Sequence, residues 1–149
     1  MRRIVGQADY IAEANVQIRS APKEIWDALT DPERIETYTF GAQVETDWKV
    51  GRPITWRGEW KGKEYEDKGE ILEFEPHRHL SYSHYSALSG EPDLPENYHT
   101  VSIGLTPVNG ATQVTLTQDN NDNEEARDHS QKNWSSMLEA LKEHVEVGG

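Results

Sequence analysis

The apolar pattern predicts an α+β domain in which a curved antiparallel sheet wraps one long C-terminal helix. Two observations carry the prediction. In residues 123–147, Trp134, Met137, Leu138, Leu141 and Val145 fall within an arc of roughly 100°, the width of a stripe that packs on a core. Across residues 42–120, apolar residues recur instead with period two between turn signals, as in a meander of strands. A strongly bent sheet cannot touch a straight helix along its whole length, so a cavity is expected where the two part.

Taken in order, Ala12, Ala14, Val16 and Ile18 alternate with Glu13, Asn15, Gln17 and Arg19, which is a half-buried first strand. Ser20 is placed to cap a helix that opens on Pro22 and carries Ile25, Trp26 and Leu29 on one side. Asp31-Pro32 ends that helix and opens a second, shorter one reaching about Tyr38, because aspartate at the cap followed by proline suits a helix start. Ile54, Trp56 and Trp60 then share one parity, and Lys61-Gly62-Lys63 turns the chain into the run 64–74. That run changes pattern around Gly69, and Ile71-Leu72 sets two apolar residues in succession, so a bulge or bend is expected. Glu75-Pro76 breaks it. Residues 79–86 follow with Leu80, Tyr82 and His84 on one face. The stretch 87–97, punctuated by Gly90, Pro92 and Pro95, reads as a loop, either a pocket lid or an inert insert. His99, Val101, Ile103 and Leu105 make the next strand, residues 107–110 a turn, and Val114, Leu116 and Gln118 the last strand. Asn121, Asp122 and Asn123 offer cap oxygens to the long helix, and Glu124 and Glu125 suit the positive end of its dipole.

The 149 residues read as one domain, 1–149, with a structured core from about 12 to 147. A net charge of −12 argues against nucleic acid and against anionic membrane surfaces, since phosphate binding needs clustered lysine and arginine. No run approaches the roughly 18 apolar residues of a membrane span, and Met1-Arg2-Arg3-Ile4 is not followed by the apolar segment of a signal peptide; a cytoplasmic protein is expected. The absence of cysteine excludes disulfides, thiolate metal sites and cysteine nucleophiles.

The long helix changes character along its stripe. Trp134, Met137 and Leu138 give way toward its start to Ser130, Gln131 and Arg127, so one end packs and the other walls something wetter. On the strands, His84 and His99 share parity with apolar neighbours and point toward the helix, and Gln118 lies inward on the next strand; the three form a polar patch, either hydrogen-bonded within the fold or facing a small ligand. Tyr38, Phe40, Trp56 and Tyr82 add aromatic surface that serves packing or an amphipathic ligand. The pocket residues expected are therefore Tyr38, Phe40, Trp56, Tyr82, His84, His99, Gln118, Arg127, Ser130, Trp134, Met137 and Leu138. Most carboxylates share parity with the outer face, although Asp67 can face inward with Tyr65. His77 and His79 sit in a turn as solvated histidines. No serine–histidine–aspartate order, phosphate loop or zinc helix is present, so no catalytic residue, metal or cofactor is assigned.

The order of elements resembles the START-like (SRPBCC) superfamily, within it the branch named after the activator of the 90-kDa heat-shock protein ATPase. The residues that carry the likeness are Ala21-Pro22-Lys23-Glu24-Ile25-Trp26-Asp27-Ala28-Leu29-Thr30-Asp31-Pro32, Gly69-Glu70-Ile71-Leu72-Glu73, Leu88-Ser89-Gly90, Pro95-Glu96-Asn97-Tyr98-His99-Thr100-Val101 and Thr115-Leu116-Thr117-Gln118-Asp119-Asn120. The resemblance implies a helix-grip (START-like, Bet v-like) fold: a curved seven-stranded antiparallel sheet around the C-terminal helix, with two short helices after the first strand. It also implies a deep pocket that holds apolar or amphipathic small molecules in many members. The function expected is a binding or carrier domain for such a molecule, in a stress-related role. The alternatives are a chaperone-type module that contacts a heat-shock protein, and a cyclase or hydrolase. The chain is expected as a monomer or homodimer.

Overall fold

A computed structural model of the chain describes residues 10–39, 41–86 and 90–148. The expectations for Phe40 and for residues 87–89 of the loop lie outside the described residues. Strands β1 (Tyr10–Ile18), β2 (Gln43–Thr46), β3 (Pro53–Trp60), β4 (Lys63–Glu75), β5 (His79–Ser86), β6 (His99–Val108) and β7 (Ala111–Asn121) form one curved antiparallel sheet in the order β1-β7-β6-β5-β4-β3-β2. Helices α1 (Pro22–Thr30) and α2 (Pro32–Tyr38) follow β1, and α3 (Glu124–Gly148) closes the fold. The helix-grip architecture is thus present.

Local chemistry explains most boundaries. Asp31 Oδ1 accepts from the Glu33 N–H at 3.1 Å and caps α2, with Pro32 behind it. Ser20 does not cap α1, contrary to expectation. With Pro22 at the first helical position the cap is Ala21, which offers no side-chain oxygen; Ser20 sits one residue too early, and its carbonyl accepts instead from Thr112 Oγ1 at 2.8 Å. Two hairpins turn on Lys61-Gly62 and Asn109-Gly110, all four residues at positive φ, the geometry whose twist matches the flanking strands.

The turn expected over 107–110 is therefore shorter: β6 runs through Val108, and Pro107 pairs with Thr112. Proline is admitted there for a definite reason. Leu105 N–H donates toward β5, to Arg78 O at 2.8 Å, and residue 107 faces the same way, beyond the first residue of β5. Its missing donor faces no strand. The register of β4 on β5 slips between Ile71 and Glu73, which leaves Leu72 as the extra, exposed residue of a bulge. Gly69 nearby answers a close approach: a Cβ there would fall 1.7 Å from Ser83 O.

The core fills the concave side. Leu138 and Leu141 of α3 are fully buried, with Val145 beside them, against Val16 and Ile18 of β1, Ile25 of α1 and the inward residues of β6 and β7. Each such leucine removes enough apolar surface from water to contribute about 2 kcal/mol. Helix α3 also shields a sheet edge. Strand β1 is terminal in the sheet, and three α3 side chains meet outward backbone groups of β1 and of Arg19 just past its end. Gln131 Oε1 accepts from Glu13 N–H at 3.2 Å, Lys142 Nζ donates to Gln17 O at 3.0 Å, and Glu146 Oε2 accepts from Arg19 N–H at 2.8 Å. The opposite edge, β2, is four residues long, too short to recruit another strand easily.

Candidate functional site

A cavity of about 200 Å³ lies where the sheet bends away from α3. Its floor comes from Ile54 and Trp56 of β3, Tyr65 and Asp67 of β4, Leu80, Tyr82 and His84 of β5 and Ile103 of β6. Leu29, Ile35, Tyr38 and Thr39 close it on the side of the short helices, Ala42, Val44 and Trp48 on the side of β2, and Trp134 and Met137 from above. Strand parity puts the floor residues there. Trp56 pairs with Asp67 across β3 and β4, so both point to the concave side, and Trp56 meets Tyr82 at 5.1 Å and His84 at 5.0 Å between ring centroids.

The polar feature of this cavity is a pair. His84 Nε2 lies 3.0 Å from Asp67 Oδ2; a carboxylate only accepts, so Nε2 carries the hydrogen. The other carboxylate oxygen, Oδ1, is buried and has no hydrogen-bond partner. Burial, and then the charge of Asp67, raise the Tyr65 phenol pKa above its ordinary value. Burial likewise raises those of Tyr38 and Tyr82, and the Tyr38 hydroxyl donates to Ala28 O at 3.0 Å. These phenols are neutral walls.

A second hollow, also about 200 Å³, lies at the start of α3 and is polar: His99, Gln118, Asn121, His129 and Ser130 are among the residues around it. Asn123 Oδ1 caps α3 through Ala126 N–H at 2.8 Å, and Ser130 Oγ donates to Asn121 Oδ1 at 3.0 Å. His99 Nδ1 donates to Asp119 O at 2.9 Å. Between the two hollows stands Trp134, whose Nε1 donates to Gln118 Oε1.

The structure therefore divides the residues expected to act together. Tyr38, Trp56, Tyr82, His84, Trp134 and Met137 line the apolar cavity, while His99, Gln118 and Ser130 line the polar hollow. His84 and His99 are direct partners across β5 and β6, yet open onto different spaces. Leu138 is fully buried in the core, and Arg127 turns to Glu124 and Asp128 at 3.6 and 3.0 Å rather than to either hollow. Asp67, Trp48 and Tyr65 stand in the cavity without having been placed among the pocket residues. The parity shared by Tyr65 and Asp67 was the signal for two of them; Trp48 lies outside any strand, and no periodicity marks it. On the rim of the sheet, the ligand atoms of Glu73, Glu75 and His79 lie within 4.8 Å of one another, the two carboxylates exposed and the histidine half-buried.

A model of the family described as Activator of Hsp90 ATPase homolog 1-like protein matches residues 19–146. The chain belongs to this family. Among solved structures, this Aha1-like domain is similar to ChR145 from Cytophaga hutchinsonii at 51% identity, over 91% of this chain and 93% of that one, with a TM-score of 0.81. The Aha1 dimer from Colwellia psychrerythraea shares the fold at 20% identity and TM-score 0.72, over 93% and 97%. DynU16, of the dynemicin biosynthetic locus, shares it at 18% and 0.76, over 95% of this chain and 49% of the longer one. No curated protein matches. Among the described residues of the Aha1-like domain, no helix is long and apolar enough to cross a membrane.

Chemically, the cavity can enclose a ring-sized apolar group and offer it one ionisable pair. Among the described residues its lining holds no serine or cysteine, the hydroxyl of Thr39 is committed to Ile35 O, and the groups with polar tips are Asp67, His84 and the phenols of Tyr38, Tyr65 and Tyr82.

Proposed function

We propose that this Aha1-like domain is a non-enzymatic binding or carrier domain for a compact apolar or amphipathic molecule, held between the sheet and α3. The observation that carries the reading is the cavity itself: aromatic and aliphatic walls around a single histidine–carboxylate pair, the composition of small-molecule sites. Its volume sets the size of the occupant, since an apolar space of about 150 Å³ accepts benzene. A ring with a short arm fits inside; a long acyl chain would have to extend out through the mouth. A thermal-shift screen tests this. A fitting ligand at about 100 times its Kd adds roughly 2.7 kcal/mol, which in a domain of this size raises Tm by about 5–10 °C. No shift with any compact ring compound, and no small molecule retained in native mass spectrometry, would overturn it.

Family membership favours a second reading, a chaperone-type module that contacts a heat-shock protein in a stress-related, cytoplasmic setting. It predicts co-elution with a purified 90-kDa heat-shock ATPase and a changed ATPase rate; absence of both removes it. The state of the chain, monomer or homodimer, is read by light scattering in the same preparation.

A further inference from the structure

We propose that the cavity takes a ring-bearing organic amine in its protonated form, with the ammonium group set against Asp67. The proposal rests on the carrier reading and names the class of molecule carried. Three features of the cavity converge on it.

The first is the half-used carboxylate. Asp67 Oδ2 accepts from His84, whereas Oδ1 is shut away from water with nothing donating to it. A buried carboxylate oxygen left without a donor is unfavourable; the Asp67 side chain keeps 15% of its surface accessible and lines the cavity, so a turn of the carboxylate lets a ligand N–H recover the loss. The second is the wall. Trp48, Trp56, Tyr82 and Trp134 present ring surface around the same space, and the faces of indole and phenol rings attract cations. The third is what the lining lacks. Among the described residues no lysine or arginine lines it, and its one basic group, His84, is already turned to Asp67, so no free cation there complements a carboxylate or phosphate; the net charge of −12 on the chain draws cations rather than anions toward it.

A neutral donor such as an alcohol bonds the same carboxylate, but gains little from the ring faces and nothing from the charge. The amine gains from all three. An acid of the same shape meets Asp67 as a like charge at close range.

Isothermal titration at pH 7.5 with phenethylamine, phenethyl alcohol and hydrocinnamate, which share one phenyl ring and differ in the group at the end of a short arm, decides the matter. The amine is expected to bind about tenfold or more tightly than the alcohol, as a charge-assisted hydrogen bond implies, and hydrocinnamate not measurably. Asp67→Asn, its fold checked by circular dichroism, is expected to abolish the advantage of the amine and to leave the alcohol within about threefold. If Asp67→Asn does not fold, the ranking on the unaltered protein decides alone. The alcohol equalling the amine, or the acid binding best, overturns the amine proposal and leaves the carrier reading standing. Binding of none of the three at millimolar concentration overturns the amine proposal, and the carrier reading falls with it only where the thermal-shift screen and native mass spectrometry are blank as well.

Discussion

Trp48 is held at φ +57°, a left-handed backbone conformation that a bulky side chain adopts only under constraint, at a cost of order 1 kcal/mol. What it gains is a place for the indole, 6.2 Å from Phe74 on one side and against the cavity on the other. Trp48→Gly is therefore expected to change stability by less than about 1.5 kcal/mol, as relief of the backbone offsets lost packing, while weakening whatever the cavity binds. Urea unfolding and titration, run side by side, check the two halves separately. Trp134 and Leu138 lie one turn apart on α3 and separate in the same way. Leu138→Ala is expected to cost about 2–5 kcal/mol, because the leucine is fully enclosed, and Trp134→Ala less than the 3–5 kcal/mol of an enclosed tryptophan, because one side of the indole already borders space. His144 supplies a pH dependence. Its Nε2 accepts from Arg34 Nε at 3.0 Å, and burial, then the Arg34 charge, lower its pKa below the ordinary 6.5. The unfolded chain thus binds this proton more readily than the folded one, so stability is full above about 6.5 and is lost as pH falls through that value toward the lower folded pKa. His144→Gln, which keeps an acceptor but does not titrate, is expected to lose less Tm than the parent between pH 7.5 and 5; parallel curves would refute the assignment.

At the level of elements, the two short helices form a natural comparison. Helix α2 has its aspartate cap and α1 has none. Asp31→Ala should destabilise by about 1 kcal/mol, and Ala21→Asp, at a backbone geometry already extended, should stabilise by about 0.5–1 kcal/mol. Differential scanning calorimetry resolves both signs. Strand β4 depends on the missing side chain of Gly69: with Ser83 O standing where a methyl group would go, Gly69→Ala should cost roughly 3 kcal/mol or force β5 away. The amino-acid pattern showed these elements well where a period ran unbroken, as in β1, β6, β7 and α3. It misled where one residue decides. The cap of α1 falls at Ala21 rather than Ser20 because Pro22 fixes the helix start, and Pro107 stays in β6 because its neighbour strand begins too late to need its N–H.

For the whole molecule, the fold was legible because it follows from two periodicities and their order along the chain. The cavity was only half legible. That space opens between sheet and helix follows from curvature, and parity sent Trp56, Tyr82 and His84 into it. Parity does not say how a concave surface is partitioned. The indole of Trp134, pinned to Gln118, splits the inward polar residues into two compartments, and no strand pattern contains that fact. Nor does periodicity reach the irregular segment that brings Trp48 to the wall.

The same three indoles give the domain an optical property. Of five tryptophans in the chain, Trp48, Trp56 and Trp134 border the cavity, and each presents part of its ring to whatever fills it. A guest that replaces water there changes the polarity at three emitters at once, so ultraviolet fluorescence of the unlabelled protein registers occupancy directly. A chromophoric guest within a ring's width of them should quench that light by energy transfer, so that coloured compounds can be screened without a probe.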